Sequence, residues 1–336
     1  MRLAFLFFLG LISGSRLPAQ QTSLSGPVEA FTFDGPTRGL RAVFGFPGAA
    51  SFGPALSDNL DLASVAPLQN YGIAFENGKC LFVSGLGSKT ISTVALAGVA
   101  KYPDGIVWSG NGSLAILYSQ AGGWFQTITG FPSAPVAGAL VDLSSLAGSF
   151  SAIAVDAPGK QIAVGFRGDN GAVYQVGGGQ AFTPLASMAQ PVSLSFSNNG
   201  QTLYALDAAS IQVTAVTLSS HGLQTLALTG MTNPVAIQSL EDSQNRQLLY
   251  VAGGSDRILR ILDVATQQVL TDVPLNLQPS SLNPFGSGSF VLAFRSQSTN
   301  PLWLFTSTPQ PGAYFVPAVQ LRPPDRPGIA VAGRTR

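Results

Sequence analysis

One histidine, one cysteine, thirteen Asp and three Glu are the first groups in this chain to consider for moving protons or holding metals. His221 stands in Ser219-Ser220-His221-Gly222, between two strand-like runs. A zinc site takes several His or Cys ligands, and Cys80 is the only companion, far away in sequence. A Ser-His-Asp triad needs only one His, but no Gly-x-Ser-x-Gly elbow is present to carry its serine. His221 is therefore expected in a surface turn. Gly85-Leu86-Gly87-Ser88-Lys89-Thr90 has the glycines of a phosphate loop, but Ser88 separates the last glycine from the lysine. Ile91 to Leu96 then continues as a strand rather than a helix, so a hairpin turn is the better reading. Cys80 lies in an apolar run and reads as a buried, inert thiol.

The carboxylates are the remaining source of chemistry. No Asp-x-Asp-x-Asp calcium loop occurs. Asp34, Asp156, Asp169, Asp207, Asp256 and Asp263 fall at strand ends and turns, where Asp bonds its own backbone. Asp58, Asn59 and Asp61, then Tyr102 and Asp104, then Asn233, come just before strand-like runs. Whether they meet depends on the elements that carry them.

Those elements are strands. Apolar and small polar residues alternate, and Gly, Pro, Ser and Asn break the chain at nearly every tenth residue. Val192 to Phe196, Thr202 to Leu206, Ile211 to Leu218 and Leu223 to Leu228 form one such set, with Asn199-Gly200 as a tight turn after the first strand. First strands recur near Leu62, Ile106, Ala152, Ser193, Ala236 and Ser281, at spacings of 44, 46, 41, 43 and 45 residues. A four-strand unit of about 40–45 residues marks a propeller blade. One blade cannot bury both of its faces, whereas six or seven packed radially can.

An all-β propeller of four-stranded antiparallel blades is thus expected. Val28 to Phe33 and Leu40 to Phe46 read as the third and fourth strands of an incomplete N-terminal blade. Ala318 to Leu321 and Gly328 to Ala332 are the stretches able to complete it. Seven blades, one split or incomplete, are favoured, with six plus an extra hairpin as the alternative. Inner strands line the channel of a propeller, so Asp61, Asp104 and Asn233 would surround its mouth and bind a polar ligand or a small cation such as Ca²⁺. The competing reading is that they cap strands and solvate the rim. Trp108, Trp124 and Trp303 read as packing between blades rather than sugar platforms.

Outside the repeat, Met1-Arg2, the apolar run Leu3 to Ile12 and the small polar Ser13 to Gln20 have the layout of a secretory signal peptide. Ten apolar residues fall short of the ~20 that span a bilayer. Cleavage is placed after Ala19, with Ser15 as second choice, so a secreted or periplasmic location is expected. The chain then divides into signal peptide 1–19, lead-in 20–27, one propeller domain 28–320 and a Pro/Arg-rich tail 321–336. Charged residues are only 10% of the chain, against about 25% on average. Seventeen basic residues balance sixteen acidic ones, which leaves no surplus to neutralise a phosphate backbone. No nucleic-acid partner and no membrane span are expected, and the protein is read as a monomer.

Leu249 to Leu270, LYVAGGSDRILRILDVATQQVL, resembles the YVTN-type β-propeller repeat. Tyr204 to Ala209 and Val192 to Gly200 are similar to weaker copies, while the Trp-Asp pairs of WD40 repeats are missing. The resemblance is to bacterial exported propellers grouped loosely with WD40-like proteins. It implies a binding scaffold, and some relatives are lactone hydrolases or metal-dependent enzymes. Three functions stay open. One is a non-catalytic scaffold for a protein, peptide or glycan at the rim or channel mouth. Another is a lactonase-like hydrolase with a channel cation on Asp61, Asp104 and Asn233. The third is a structural subunit of an envelope assembly.

Overall fold

The computed structural model describes residues 27–318, except 47, 68–69, 89, 178–180, 286–288, 292–301 and 308–310. The expected signal peptide, the tail 321–336 and the stretch Gly328 to Ala332 lie outside the described residues. So does Ala318 to Leu321, apart from Ala318 itself. Among the described residues the alternating pattern forms 27 strands and no helix, hence no helix long and apolar enough to cross a membrane.

The strands make seven antiparallel sheets in chain order. Blade 1 holds β1 (Val28–Asp34), β2 (Gly39–Phe44) and β3 (Ser51–Ser57). Blade 2 holds β4 (Leu62–Val65), β5 (Tyr71–Glu76), β6 (Lys79–Ser84) and β7 (Ser92–Ala95). Blade 3 holds β8 (Gly105–Trp108), β9 (Leu114–Ser119), β10 (Trp124–Thr129) and β11 (Val136–Asp142). Blade 4 holds β12 (Ser149–Val155), β13 (Ile162–Arg167), β14 (Ala172–Val176) and β15 (Phe182–Ser187). Blade 5 holds β16 (Pro191–Phe196), β17 (Thr202–Asp207), β18 (Gln212–Thr217) and β19 (Gly222–Ala227). Blade 6 holds β20 (Pro234–Glu241), β21 (Gln247–Gly253), β22 (Ile258–Asp263) and β23 (Gln268–Pro274). Blade 7 holds β24 (Asn283–Phe285), β25 (Ser289–Val291), β26 (Leu302–Thr306) and β27 (Gly312–Val316).

Burial closes these sheets into a propeller of six four-stranded blades and one partial one. Every apolar cluster is shared by two neighbouring blades. Tyr71, Phe75 and Trp124 join blades 2 and 3, and Leu206, Leu226 and Leu249 join blades 5 and 6. The last cluster sets Val43 of blade 1 against Phe285, Leu304 and Val316 of blade 7, so the ring returns on itself. Leu60, Leu143, Leu228 and Leu275 each follow an outer strand and plug the interface to the next blade, at 1%, 1%, 1% and 4% exposure.

The N-terminal blade is offset by one strand from the sequence-based expectation: β1 and β2 are second and third strands, and Ser51–Ser57 is the fourth. Three observations place them. Leu60 N donates to Arg38 O, as Leu228 N donates to Ile211 O and Leu275 N to Arg257 O in complete blades. Thr37-Arg38-Gly39-Leu40-Arg41 matches Asp256-Arg257-Ile258-Leu259-Arg260 around the second-to-third turn of blade 6. In each match the leucine and the second arginine are buried. Finally, only 58–61 separates β3 from β4, too short a link to climb the height of a blade. The four-residue turn after Asp34 looks alike at either position, which is why strand order was not legible from it.

Turn chemistry repeats with the blades. Asn111 Oδ1 accepts from Ser113 N, and Asn199 Oδ1 from Gln201 N, in both cases with the preceding Ser hydroxyl bonded to the same oxygen. The sequon-like Asn111-Gly112-Ser113 is thereby accounted for as a hairpin turn. Asp156 and Asp242 do the same work in blades 4 and 6.

Candidate functional site

The first strands surround a central cavity of about 2540 Å³. Its wall combines small hydroxyl, amide and aliphatic side chains such as Ser151, Ser193, Gln238 and Val235 with aromatic ones such as Phe31, Trp108, Phe196 and Trp303, and with the charged Asp34, Asp104, Glu241, Asp242 and Arg246. The hydroxyls lie on first strands because period-two alternation sends every second residue toward the neighbouring blade. There they stitch blade to blade. Ser193 Oγ accepts from Ile237 N at 3.1 Å and Ser195 Oγ from Ser239 N at 2.9 Å. Ser151 Oγ donates to Pro191 O at 2.6 Å, and Trp108 Nε1 to Ser64 Oγ at 3.0 Å.

Asp61, Asp104 and Asn233 lead into β4, β8 and β20, as expected from their positions before first strands. Each is exposed, and each is engaged differently. Asp104 lines the cavity and accepts from Ser119 Oγ at 2.8 Å and Ala121 N at 3.3 Å, bracing the second-to-third turn of its own blade. Asn233 also lines the cavity; its N–H donates to Asp256 Oδ2 at 3.1 Å and its carbonyl accepts from Gly254 N at 2.8 Å. Asp61 is absent from that wall and pairs with Arg38, whose guanidinium also donates to the carbonyls of Asn59 and Leu60 at 3.0 Å each. Asn233 belongs to blade 6, while Asp61 and Asp104 belong to adjacent blades 2 and 3. Among the described residues no three His, Cys, Asp or Glu side chains are grouped closely enough to hold a metal ion.

Two residues organise this face: Arg38, which the sequence did not single out, and Asp256, expected to bond its own turn but found bonded to the preceding link. Arg38 gathers Asp61 and the 59–60 carbonyls, and Tyr102 stands close by, edge-on to Phe75 at 5.2 Å. Burial pushes the Tyr102 hydroxyl above its ordinary range; Asp61 adds to this and Arg38 opposes it. The likeness of Thr37-Arg38 to Asp256-Arg257 was the available signal for Arg38. The second is Asp256, which ties Thr232 and Asn233 to its own turn through Thr232 N, Thr232 Oγ1 and Asn233 N. Burial works against its ionisation, but the Thr232 and Asn233 bonds outweigh it and hold the carboxyl below the usual range. A Cβ on Gly253 would sit 2.9 Å from Asp256 Oδ2, so glycine is what lets the carboxylate reach back.

His221 is exposed in the turn between β18 and β19, with φ of +54°, at the outer side of blade 5. Cys80 is buried between blades 2 and 3, and burial pushes its thiol up to about 12. Trp124 packs in that same cluster, with Trp108 against its edge, and Trp303 packs against the cluster joining blades 6 and 7.

No family model matches the chain, and no curated protein does. Solved structures match at low identity, and the first of these shares the fold. Sqt1 of Chaetomium thermophilum is 17% identical with a TM-score of 0.54, over 87% of this chain and 82% of that one. A chain in the crystal structure of a nidogen/laminin complex is 13% identical with a TM-score of 0.49, over 74% of this chain and 92% of that one.

Proposed function

We propose that this protein is an exported, non-catalytic β-propeller scaffold that takes a polar ligand, a peptide or a glycan, at the channel mouth near Asp104 and Asn233. The observation that carries this reading is the composition of the cavity wall: hydroxyls and amides among aliphatic and aromatic surface, with the Asp104 carboxylate and the Asn233 backbone at its mouth engaged in turns. Such a wall offers a ligand both hydrogen bonds and apolar contact. Carboxylates spent on Ser119, Ala121 and Arg38 are poorly placed for proton transfer or for gathering round one cation.

The test uses mature protein recovered from the exporting cell, whose N-terminus should begin near Gln20. Peptide and glycan arrays should yield ligands whose binding Asn233→Ala and Asp104→Ala weaken at least tenfold. Stoichiometric Ca²⁺ in the purified protein, with an esterase or lactonase activity abolished by chelation and by Asp104→Ala, would replace this reading with the hydrolase one.

A further inference from the structure

The link from blade 2 to blade 3, residues 96–104, is nine residues long, where the other outer-to-inner links among the described residues run from three (188–190) to eight (275–282). Its ends are tied down and its middle hangs from blade 3. Leu96 N donates to Cys80 O at 2.9 Å and Asp104 N to Tyr118 O at 2.8 Å. Between them the side chain of Gln126, 1% exposed on β10, accepts from Ala100 N at 3.0 Å and donates to Gly98 O at 2.8 Å and Gly138 O at 2.7 Å. A buried amide thereby fixes the course of a surface link.

Between this link and the turn joining β5 to β6 lies a cavity of about 290 Å³ that shares no lining residue with the central one. Its buried lining is apolar: Phe75 and Cys80 are 1% and 5% exposed, and Leu96 and Val99 are partly buried beside them. Tyr102 stands edge-on to Phe75 with ring centroids 5.2 Å apart. Lys79 and Lys101, both exposed, also line the cavity, and no carboxylate does.

Among the described residues neither ammonium group lies within ion-pair distance of a carboxylate. Glu76 faces Lys79 across the β5–β6 ladder without pairing with it. Bonds from Ser144, and to a smaller extent the charge of Lys101, hold the Asp142 carboxyl below its ordinary range. Asp61, which acts on Tyr102, is engaged by Arg38. Two unpaired cations thus border an apolar pocket whose nearby carboxylates are bonded elsewhere or stand outside its wall.

We propose that this pocket binds a small apolar monocarboxylate, its tail against Phe75, Leu96 and Val99 and its carboxylate between Lys79 and Lys101. An inorganic anion would leave the apolar wall unused, and a neutral hydrocarbon would leave both ammonium groups unused. Hydrogen bonds between ammonium and carboxylate are charge-assisted and stronger than neutral ones. The volume falls just below the ~300–1,000 Å³ of drug-sized ligand pockets, which limits the tail to a single ring or a short chain. The site is separate from the channel mouth and independent of the ligand proposed there.

Calorimetric titration of the full-length protein with hydrocinnamate tests this, with hydrocinnamyl alcohol and inorganic phosphate as controls. One equivalent of hydrocinnamate should bind with a Kd below ~1 mM, and both controls at least about tenfold more weakly. Lys79→Gln/Lys101→Gln should weaken hydrocinnamate binding at least about tenfold with an unchanged Tm, because both side chains are exposed. Val99→Trp, which fills the apolar side and keeps both lysines, should abolish binding. Absence of saturable binding to the parent, equal binding of the alcohol or of phosphate, or full binding by either variant would overturn the proposal.

Discussion

Ser195 Oγ accepts a hydrogen bond from Ser239 N at 2.9 Å, joining first strands of adjacent blades across 44 residues of chain. That separation is one period of the sequence repeat. Ser193 makes the same link to Ile237 N, so two hydroxyls of β16 meet two N–H groups of β20 that no strand partner reaches.

Substituting Ser195 by Ala leaves the Ser239 N–H without that partner, in a place where Ser195 is 4% exposed. Ser195→Ala should cost about 1–3 kcal/mol, and Ser193→Ala, nearer the channel water, less. Urea unfolding of both variants and of the double variant measures this; equal midpoints for all would mean that the hydroxyls contribute nothing.

Asp256 holds the channel-mouth segment Thr232–Asn233 to its own turn. Asp256→Ala should destabilise by about 1–2 kcal/mol. Its pKa is lowered in the folded protein, so its contribution is present above the unfolded value of about 3.9 and is lost as pH falls through the folded one. Stability followed below pH 5 should therefore decline less steeply in Asp256→Asn than in the parent. Parallel declines would show that this carboxylate plays no part.

Arg260 forms a fork on Asp272, with Nε to Oδ1 at 2.8 Å and Nη2 to Oδ2 at 2.7 Å, and also donates from Nη1 to Thr229 O at 2.6 Å. These bonds hold the Arg260 charge in place, the Asp272 bond first among the causes. Arg260→Ala should lose about 2–3 kcal/mol, and Arg260→Lys should recover little of it, because an ammonium cannot fill the planar fork. Full recovery by lysine in thermal melts would reduce the contact to simple charge attraction.

His221 sits at positive φ in an exposed turn. His221→Gly should keep stability within about 0.5 kcal/mol or raise it, and ligand binding should be unchanged. Loss of binding with an unaltered melt would move the site to the outer side of blade 5.

Native Cys80 should stay unreactive toward a disulfide reagent at pH 8, since its thiol is buried and its pKa is near 12. Rapid labelling without denaturant would reveal an opening between blades 2 and 3.

The sequence by itself determined the strands, their turns and the period, because all three are set by neighbours a few residues apart. Alternation at Val192 to Phe196 builds one half-buried strand, Asn199-Gly200 builds one turn, and repetition of that unit leaves radial packing as the way to cover both faces. It also placed Asp61, Asp104 and Asn233 ahead of first strands. What those side chains touch was decided only in three dimensions. Arg38 and Asp61 lie in different blades and meet because the 58–61 link is short; Asp256 faces Thr232 and Asn233 because a turn and a connection from different parts of the chain share one mouth. The strand order of blade 1 was likewise settled by tertiary contact. A four-residue turn looks the same between second and third strands as between third and fourth; the bond from Leu60 N to Arg38 O, the buried Leu40–Arg41 pair and the short 58–61 link tell them apart.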